Sequence, residues 1–210
     1  LAGSGDSASI LSFPRARDLW RADLARYFAY LGPSPGPAAR LRVLLVTEGL
    51  WALWALRFAQ YLAREAPRPL RPVINLFFKP ARRIIEHLTG IHLSTAARIG
   101  PGLYIGHHGG IWVSPRATLG ANCSLSQGVT IGVAGRAPHG PVLGDRVWVG
   151  PNATISGPVR IGSGSVVAAN SLVVADVPVN GVAVGVPARV ISLTGSAHLL
   201  RLPQGAPPEG

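Results

Sequence analysis

Aliphatic residues recur at every sixth position through much of the second half of the chain. Leu93, Ile99, Ile105 and Ile111 form one row. Val113, Leu119, Leu125 and Ile131 form a second, displaced by two residues, and it resumes in phase at Leu143, Val149, Ile155, Ile161, Val167 and Val173. Glycine often follows the aliphatic position, as at Gly100, Gly106, Gly120, Gly144, Gly150 and Gly162. A small residue often stands two before it: Ala97, Ala117, Cys123, Ala153, Ser165 and Ser171. Six residues advance an α-helix by about 600°, which throws successive members of such a row about 240° apart, so no helix keeps the row on one face. A short parallel strand and a tight turn do keep it, provided three units close one triangular coil and the coils stack. The aliphatic side chain then points inward, the small residue fits the crowded corner and glycine relieves the turn. The pattern predicts a mainly β fold, a parallel β-helix of hexapeptide repeats over residues 91–193.

The first 90 residues carry a different period. Leu19, Trp20, Leu24, Tyr27, Phe28 and Leu31 recur at three- and four-residue spacing and predict a helix over Asp18–Leu31, closed by the run from Gly32 to Pro37. A second helix is expected over Ala38–Arg64, before Pro67, Pro69 and Pro72. A third is expected over Val73–Leu88, stopped by Gly90 as a C-terminal glycine. The organisation expected is thus a helical N-terminal region at 1–90 with residues 1–9 flexible, the β-helix at 91–193, and a flexible tail at 194–210. The hexad row is interrupted twice, by two extra residues at His107-His108-Gly109-Gly110 and by a loop between Gly132 and Val142. Function tends to collect where loops leave a solenoid.

Composition narrows the partners. The chain has 210 residues and a net charge of +11, with Arg15, Arg17, Arg21, Arg26, Arg40, Arg42, Arg57, Arg64, Arg68, Arg71, Arg82 and Arg83 in its first half. These arginines are dispersed over helices with no reading motif around them, so they are expected as a solvated basic surface and nucleic acid is not an expected partner. The apolar stretch Val43–Ala63 is broken by Thr47, Glu48, Arg57 and Gln60, which argues against a spanning helix, while Trp51 and Trp54 could still touch a membrane surface. The single cysteine, Cys123, excludes an internal disulfide and is expected in the core. With no basic and apolar leader in Leu1–Ile10, a cytoplasmic location is expected.

Two histidines on a glycine-flanked turn suit a general base, because moving an acyl group to an alcohol requires a group titrating near neutrality to take the hydroxyl proton. A turn histidine bonded to its own backbone is the simpler alternative. His92, His107, His108 and His139 lack ligand spacing, so no metal is expected.

The segments Ile99–Val113, Ser126–Gly132 and Val184–Ile191, with Asp18–Tyr27 and Arg57–Tyr61 before them, resemble the serine acetyltransferase family and its relatives in polysaccharide gene clusters. The resemblance implies a left-handed parallel β-helix, a homotrimer with sites between subunits, acetyl-CoA as donor, and direct transfer without an acyl-enzyme. It places the family's catalytic base on His107. The aspartate that partners this base falls on His92, and the aspartate preceding it falls on Gly106. A second substrate-contacting histidine, in the extruded loop, has its nearest counterpart in His139, one residue out of register. With His108 beside the base, His92, His108 and His139 are the candidate substrate contacts. The resemblance sets the donor along Gly132, Pro151 and Ala169, one per coil near a common corner, with Arg189 toward CoA phosphate.

The loss of two carboxylates at 92 and 106 favours a neutral alcohol such as a sugar hydroxyl as acceptor. The alternatives are serine O-acetylation for cysteine biosynthesis and, in another class, a non-catalytic scaffold or membrane-peripheral module. Partners expected for the His107 ring are His92 itself, a backbone carbonyl, Glu86, Asp18 or Asp23.

Overall fold

The computed structural model describes residues 14–133, 135 and 138–203. Residues 1–9, expected to be flexible, and 204–210 of the expected tail lie outside them.

Among the described residues, four α-helices precede the coil: α1 (Ala16–Phe28), α2 (Pro37–Val46), α3 (Glu48–Arg64) and α4 (Arg71–Thr89). The single helix expected over Ala38–Arg64 is two, broken at Thr47, whose backbone is extended (φ −94°, ψ 102°). The cause is a close approach further on. Gly49, at the start of α3, lies against the Ile105 carbonyl, and a Cβ there would stand 2.7 Å from the Tyr27 hydroxyl. The chain must change direction to seat α3 on the coil, and the Trp51 indole N–H, bonded to the Leu44 carbonyl at 3.0 Å, ties the two pieces together.

From Ile91 the strands build three parallel faces. The first stacks Ile91–Leu93, Ile111–Val113, Thr130–Gly132, Thr154–Ser156 and Leu172–Val173. The second stacks Arg98–Ile99, Thr118–Leu119, Val142–Leu143 and Arg160–Ile161. The third stacks Tyr104–Ile105, Ser124–Leu125, Trp148–Val149, Val166–Val167 and Val182–Gly185, and is closed by the antiparallel strand Ala188–Ser192. Register follows the hexads: Val113 pairs with Ile131, Leu143 with Ile161 and Ile155 with Val173. Every member of both aliphatic rows is buried, as are the small residues at 97, 117, 123, 153, 165 and 171. The positive-φ turn residues include Asn152 and Asn170, both at 57°, the left-handed geometry that asparagine tolerates.

Leu50, Leu53 and Leu56 of α3 and Tyr27 of α1 join the same core as Ile91, Ile99 and Ile105, so the helices plug the first coil. Polar groups fix the plug. The Tyr27 hydroxyl donates to the Ile105 carbonyl and accepts from its N–H. Arg57 donates to Asp23 at 2.8 Å and to the carbonyls of Ile99 and Gly100, while Asp23 accepts the Leu103 N–H. The expected solvated basic surface is therefore incomplete: Arg57 and Arg26 are 2% and 0% exposed. Arg57 replaces water with a carboxylate and two carbonyls; Arg26 donates to Ser124 Oγ and lies over the rings of Tyr30 and Tyr104.

The described part of the expected flexible tail, 194–203, packs on the coil. Gly195 N–H donates to the Asn180 carbonyl, Ser196 N–H to Gly164 and Ser196 Oγ to Arg146, so the last turns are capped rather than free. Trp51 and Trp54 are also engaged, Trp54 stacking on Phe58 at 5.4 Å. No described helix is long and apolar enough to cross a membrane.

Removing one partner of a buried ion pair leaves a charge without compensation. Asp23→Ala should lower the free energy of unfolding by about 3–5 kcal/mol, read by urea denaturation. A loss below about 1 kcal/mol would show that the carbonyls of Ile99 and Gly100 alone satisfy Arg57.

Candidate functional site

The turn at residues 106–110 is held from above and below. Gly109 N–H donates to the Thr89 carbonyl at 2.8 Å, Ile111 N–H to Gly90, and Gly128 N–H to the Gly109 carbonyl at 2.9 Å. Gly90 ends α4 in the left-handed conformation (φ 65°), and a Cβ on it would stand 3.1 Å from both Gly109 Cα and Gly110 N. The helix end and the histidine turn interlock only because both are glycine at the contact. On this fixed turn His107 is exposed, and among the described residues nothing is hydrogen-bonded to its ring. A rigid backbone carrying an open imidazole suits a base that must meet a substrate hydroxyl.

His92 stands at the same end of the coil. It pairs in register with Trp112, and their rings lie 5.1 Å apart on the outer side of the first face. Its Nδ1 is 3.7 Å from Glu86 Oε2. Glu86 Oε1 accepts from Arg82 Nε at 2.9 Å, and Arg82 also donates to the Leu93 carbonyl. Trp112 is 54% exposed and extends this surface outward.

Gly106 has no side chain, and a Cβ there would meet Tyr104 Cε1 at 3.1 Å. The Tyr104 ring is held against Tyr30, with centroids 4.3 Å apart. A side chain at 106 would press on the edge of this ring, which would have to give by a few tenths of an ångström.

The other expected contacts are distributed. His108 Nδ1 lies 3.0 Å from Glu48 Oε2, which ties this histidine to the start of α3. His139 lines a separate cavity of about 380 Å³ with Arg98, Arg116, Thr118 and Val142, into which none of His92, His107 or His108 projects. Pro151 and Ala169 do stack at one corner, joined by the Asn170 N–H bonded to the Pro151 carbonyl at 2.8 Å. Gly132 is not at that corner. It ends a strand of the first face, pairs with Ser156 and accepts the Gly157 N–H. The physical reason is that Pro151 and Ala169 precede the first-face strands of their coils, whereas Gly132 ends one. Arg189 is exposed on the closing hairpin.

Of the expected partners for His107, Asp23 is committed to Arg57 and Leu103, and Asp18 lies exposed beside Arg17. Cys123 is buried, donates to the Gly144 carbonyl, and its thiol is pushed up to about 12 by that burial. Among the described residues no group of three or more His, Cys, Asp or Glu side chains could hold a metal.

Residues 140–175 match the family pattern described as bacterial transferase hexapeptide (six repeats). The chain is 33% identical over 159 residues to a serine acetyltransferase of Mycobacterium tuberculosis, covering 75% of this chain and 66% of that one. It is 36% identical to the Synechococcus elongatus enzyme over 76% of this chain and 64% of that one. The chain thus spans about two thirds of the length of these relatives. To the serine acetyltransferase of Bacillus pumilus it is 31% identical, covering 76% of this chain and 72% of the relative. The chain belongs to the serine acetyltransferase family.

Solved members of the family carry the same architecture. The Brucella abortus serine acetyltransferase superposes with a TM-score of 0.70 at 28% identity, over 87% of this chain and 71% of that one. The soybean enzyme complexed with serine gives 0.68 at 35% identity, over 86% and 71%. The coil is accordingly the left-handed parallel β-helix of this family, preceded by N-terminal helices. Sequence reasoning named Glu86 only as a partner for His107 and missed Glu48 as a partner for His108. Both contacts depend on how the helices seat on the first coil, and no spacing in the sequence signals that.

A thiol held protonated inside the core is neither nucleophile nor label site. Cys123 should resist iodoacetamide at pH 8 in the native protein and react once the chain is unfolded, as mass spectrometry would show. Labelling of native protein within minutes would place the thiol at the surface.

Proposed function

We propose that this chain is an acetyl-CoA-dependent O-acetyltransferase with His107 as the general base and L-serine as acceptor. The observation that carries the reading is the 31–36% identity to curated serine acetyltransferases over three quarters of the chain. The open imidazole on its braced turn supports it. The comparisons back serine better than the neutral alcohol expected from the sequence.

In this reading His107 takes the proton of the acceptor hydroxyl as its oxygen attacks the thioester carbonyl carbon. The tetrahedral oxyanion collapses, the carbon–sulfur bond breaks, and the departing CoA thiolate takes the proton back from the imidazolium. The products are the acetyl ester and free CoA, and no acyl-enzyme forms. Pro151 and Ala169, stacked at one corner, are the best placed of the expected donor contacts. Arg189 on the closing hairpin is available to phosphate, and Gly132 would meet the donor from the far end of the first face. A homotrimer would complete the cleft, since His107 and Trp112 lie open on a single chain. His139, in its own cavity, would then serve a neighbour's site rather than its own.

A second reading keeps the chemistry and changes the acceptor. Gly106 carries no carboxylate and its Cβ position is crowded by the edge of Tyr104, and His92 is an imidazole whose Nδ1 faces Glu86. An ammonium group finds less to bind here, which favours a neutral hydroxyl, as on a sugar, with Trp112 as a flat apolar surface.

Release of CoA thiol, measured with L-serine beside a panel of sugars, separates the two. Saturation by L-serine supports the first reading; turnover with sugars alone supports the second. His107→Ala should lower kcat/KM for the true acceptor by about 10²–10⁴-fold without changing the unfolding midpoint. Retention of most of the rate would remove His107 as base.

A further inference from the structure

Helix α4 delivers one carboxylate to the start of the coil, and its two oxygens are used differently. Glu86 Oε1 is taken by Arg82 Nε at 2.9 Å, one helical turn away, and Arg82 NH2 is anchored on the Leu93 carbonyl at 2.9 Å. Arg82 therefore clamps the side of α4 to the first strand and fixes the rotamer of Glu86 in doing so. Oε2 is left facing His92 Nδ1 at 3.7 Å, with Arg83 as its other neighbour at 3.8 Å. Arg83 is 74% exposed and contributes little, whereas Glu86 is 13% and His92 35% exposed, so the carboxylate–imidazole contact is the better shielded of the two. At 3.7 Å the contact is longer than a hydrogen bond; catalytic contacts are commonly long before substrate binds and tighten in the complex.

We propose that Glu86 is a positioning residue that holds His92 in the Nδ1–H tautomer, so that His92 presents Nε2 as an acceptor for the substrate hydroxyl. A neutral imidazole has one N–H and one lone pair, and the partner of one nitrogen decides the role of the other. A carboxylate accepts only, so closing this contact puts the proton on Nδ1 and leaves the lone pair on Nε2. Nε2 is the ring nitrogen that does not face Glu86, and the ring itself lies beside Trp112, with centroids 5.1 Å apart. Arg82, Glu86 and His92 thus form one chain of contacts. With His107 on the interlocked turn, the site holds two imidazoles of different character. Among the described residues nothing is hydrogen-bonded to the His107 ring, which takes the proton; His92, directed by Glu86, orients the hydroxyl. The proposal rests on this end of the coil being the transfer site, but the tautomer of His92 does not depend on turnover.

The test uses the full chain labelled with ¹⁵N-histidine, with long-range ¹H–¹⁵N correlations assigned to His92 by comparison with His92→Gln. The wild type should show the protonated-Nδ1 pattern. Glu86→Ala should move His92 toward the Nε2–H tautomer that free imidazole prefers. The same change should lower kcat about 10- to 100-fold, the usual cost of removing the partner of a working histidine, with KM for acetyl-CoA unchanged. Should Glu86→Ala unfold the protein, Arg82→Gln provides the second variant. It frees Glu86 without deleting the carboxylate and should give a mixed tautomer population and a smaller loss of kcat. A wild-type His92 already in the Nε2–H form, or a tautomer unchanged by Glu86→Ala, overturns the proposal. Absence of turnover with serine and sugars alike would remove the transferase reading and leave the tautomer result to decide the role of Glu86.

Discussion

Stacked coils leave no room at their corners, and the rest of this structure depends on that limit. Parallel strands in neighbouring coils stand about 4.8 Å apart. At the corner after Ile99 a Cβ on Gly100 would reach to 2.6 Å of the Gly120 carbonyl oxygen, and the same crowding recurs where Gly120 faces Gly144 and Gly144 faces Ser163. Small residues at these corners permit the stack, and the stack in turn buries the aliphatic rows completely. A prism built this way is stiff along its length but open at its ends, where the core would meet water. The N-terminal end is closed by Leu50, Leu53 and Leu56, and Arg57 with Asp23 satisfies the backbone groups that the missing coil would have paired.

The site inherits its rigidity from this arrangement. The two extra residues in the first coil cannot be absorbed within a strand, so they bulge as the turn that carries His107. Backbone bonds to Thr89 below and Gly128 above then leave that turn little freedom. The helix that supplies Thr89 and is capped by Gly90 also supplies Glu86 one turn earlier and Arg82 a turn before that. One helix end therefore braces the turn that carries His107 and sets a carboxylate facing His92. Positioning of this kind costs nothing at the moment of reaction, because it is fixed when the plug folds onto the coil.

The coil was legible because a strict period of six has a single physical explanation, and the extra residues at 107–110 were visible as a slip in that period. The turn that carries His107 was therefore accessible from sequence. Other features depend on contacts remote along the chain. The break at Thr47 is hidden because the hydrophobic pattern runs through it, and only the approach of Gly49 to Ile105 requires it. Arg57 and Arg26 read as ordinary surface arginines until the coil supplies carbonyls and aromatic faces to bury them. Ser196 and Gly195 look like tail residues until the last coil offers them Gly164 and Asn180. At the site, His92 and Glu86 are close in sequence, yet the αL turn at Gly90 between them decides that they meet.

Donor and acceptor chemistry is proposed to gather at the corner preceding the first-face strands, where Pro151 and Ala169 stack, and at the His107 turn. Hydrogen exchange followed by mass spectrometry, with and without saturating CoA, tests it most directly. Slower exchange is expected in peptides covering 106–110, 150–152 and 168–170, with no change in the buried first-face strands, which are already protected. Unchanged exchange at all three segments, or protection confined to the cavity around Arg98 and Arg116, would contradict it.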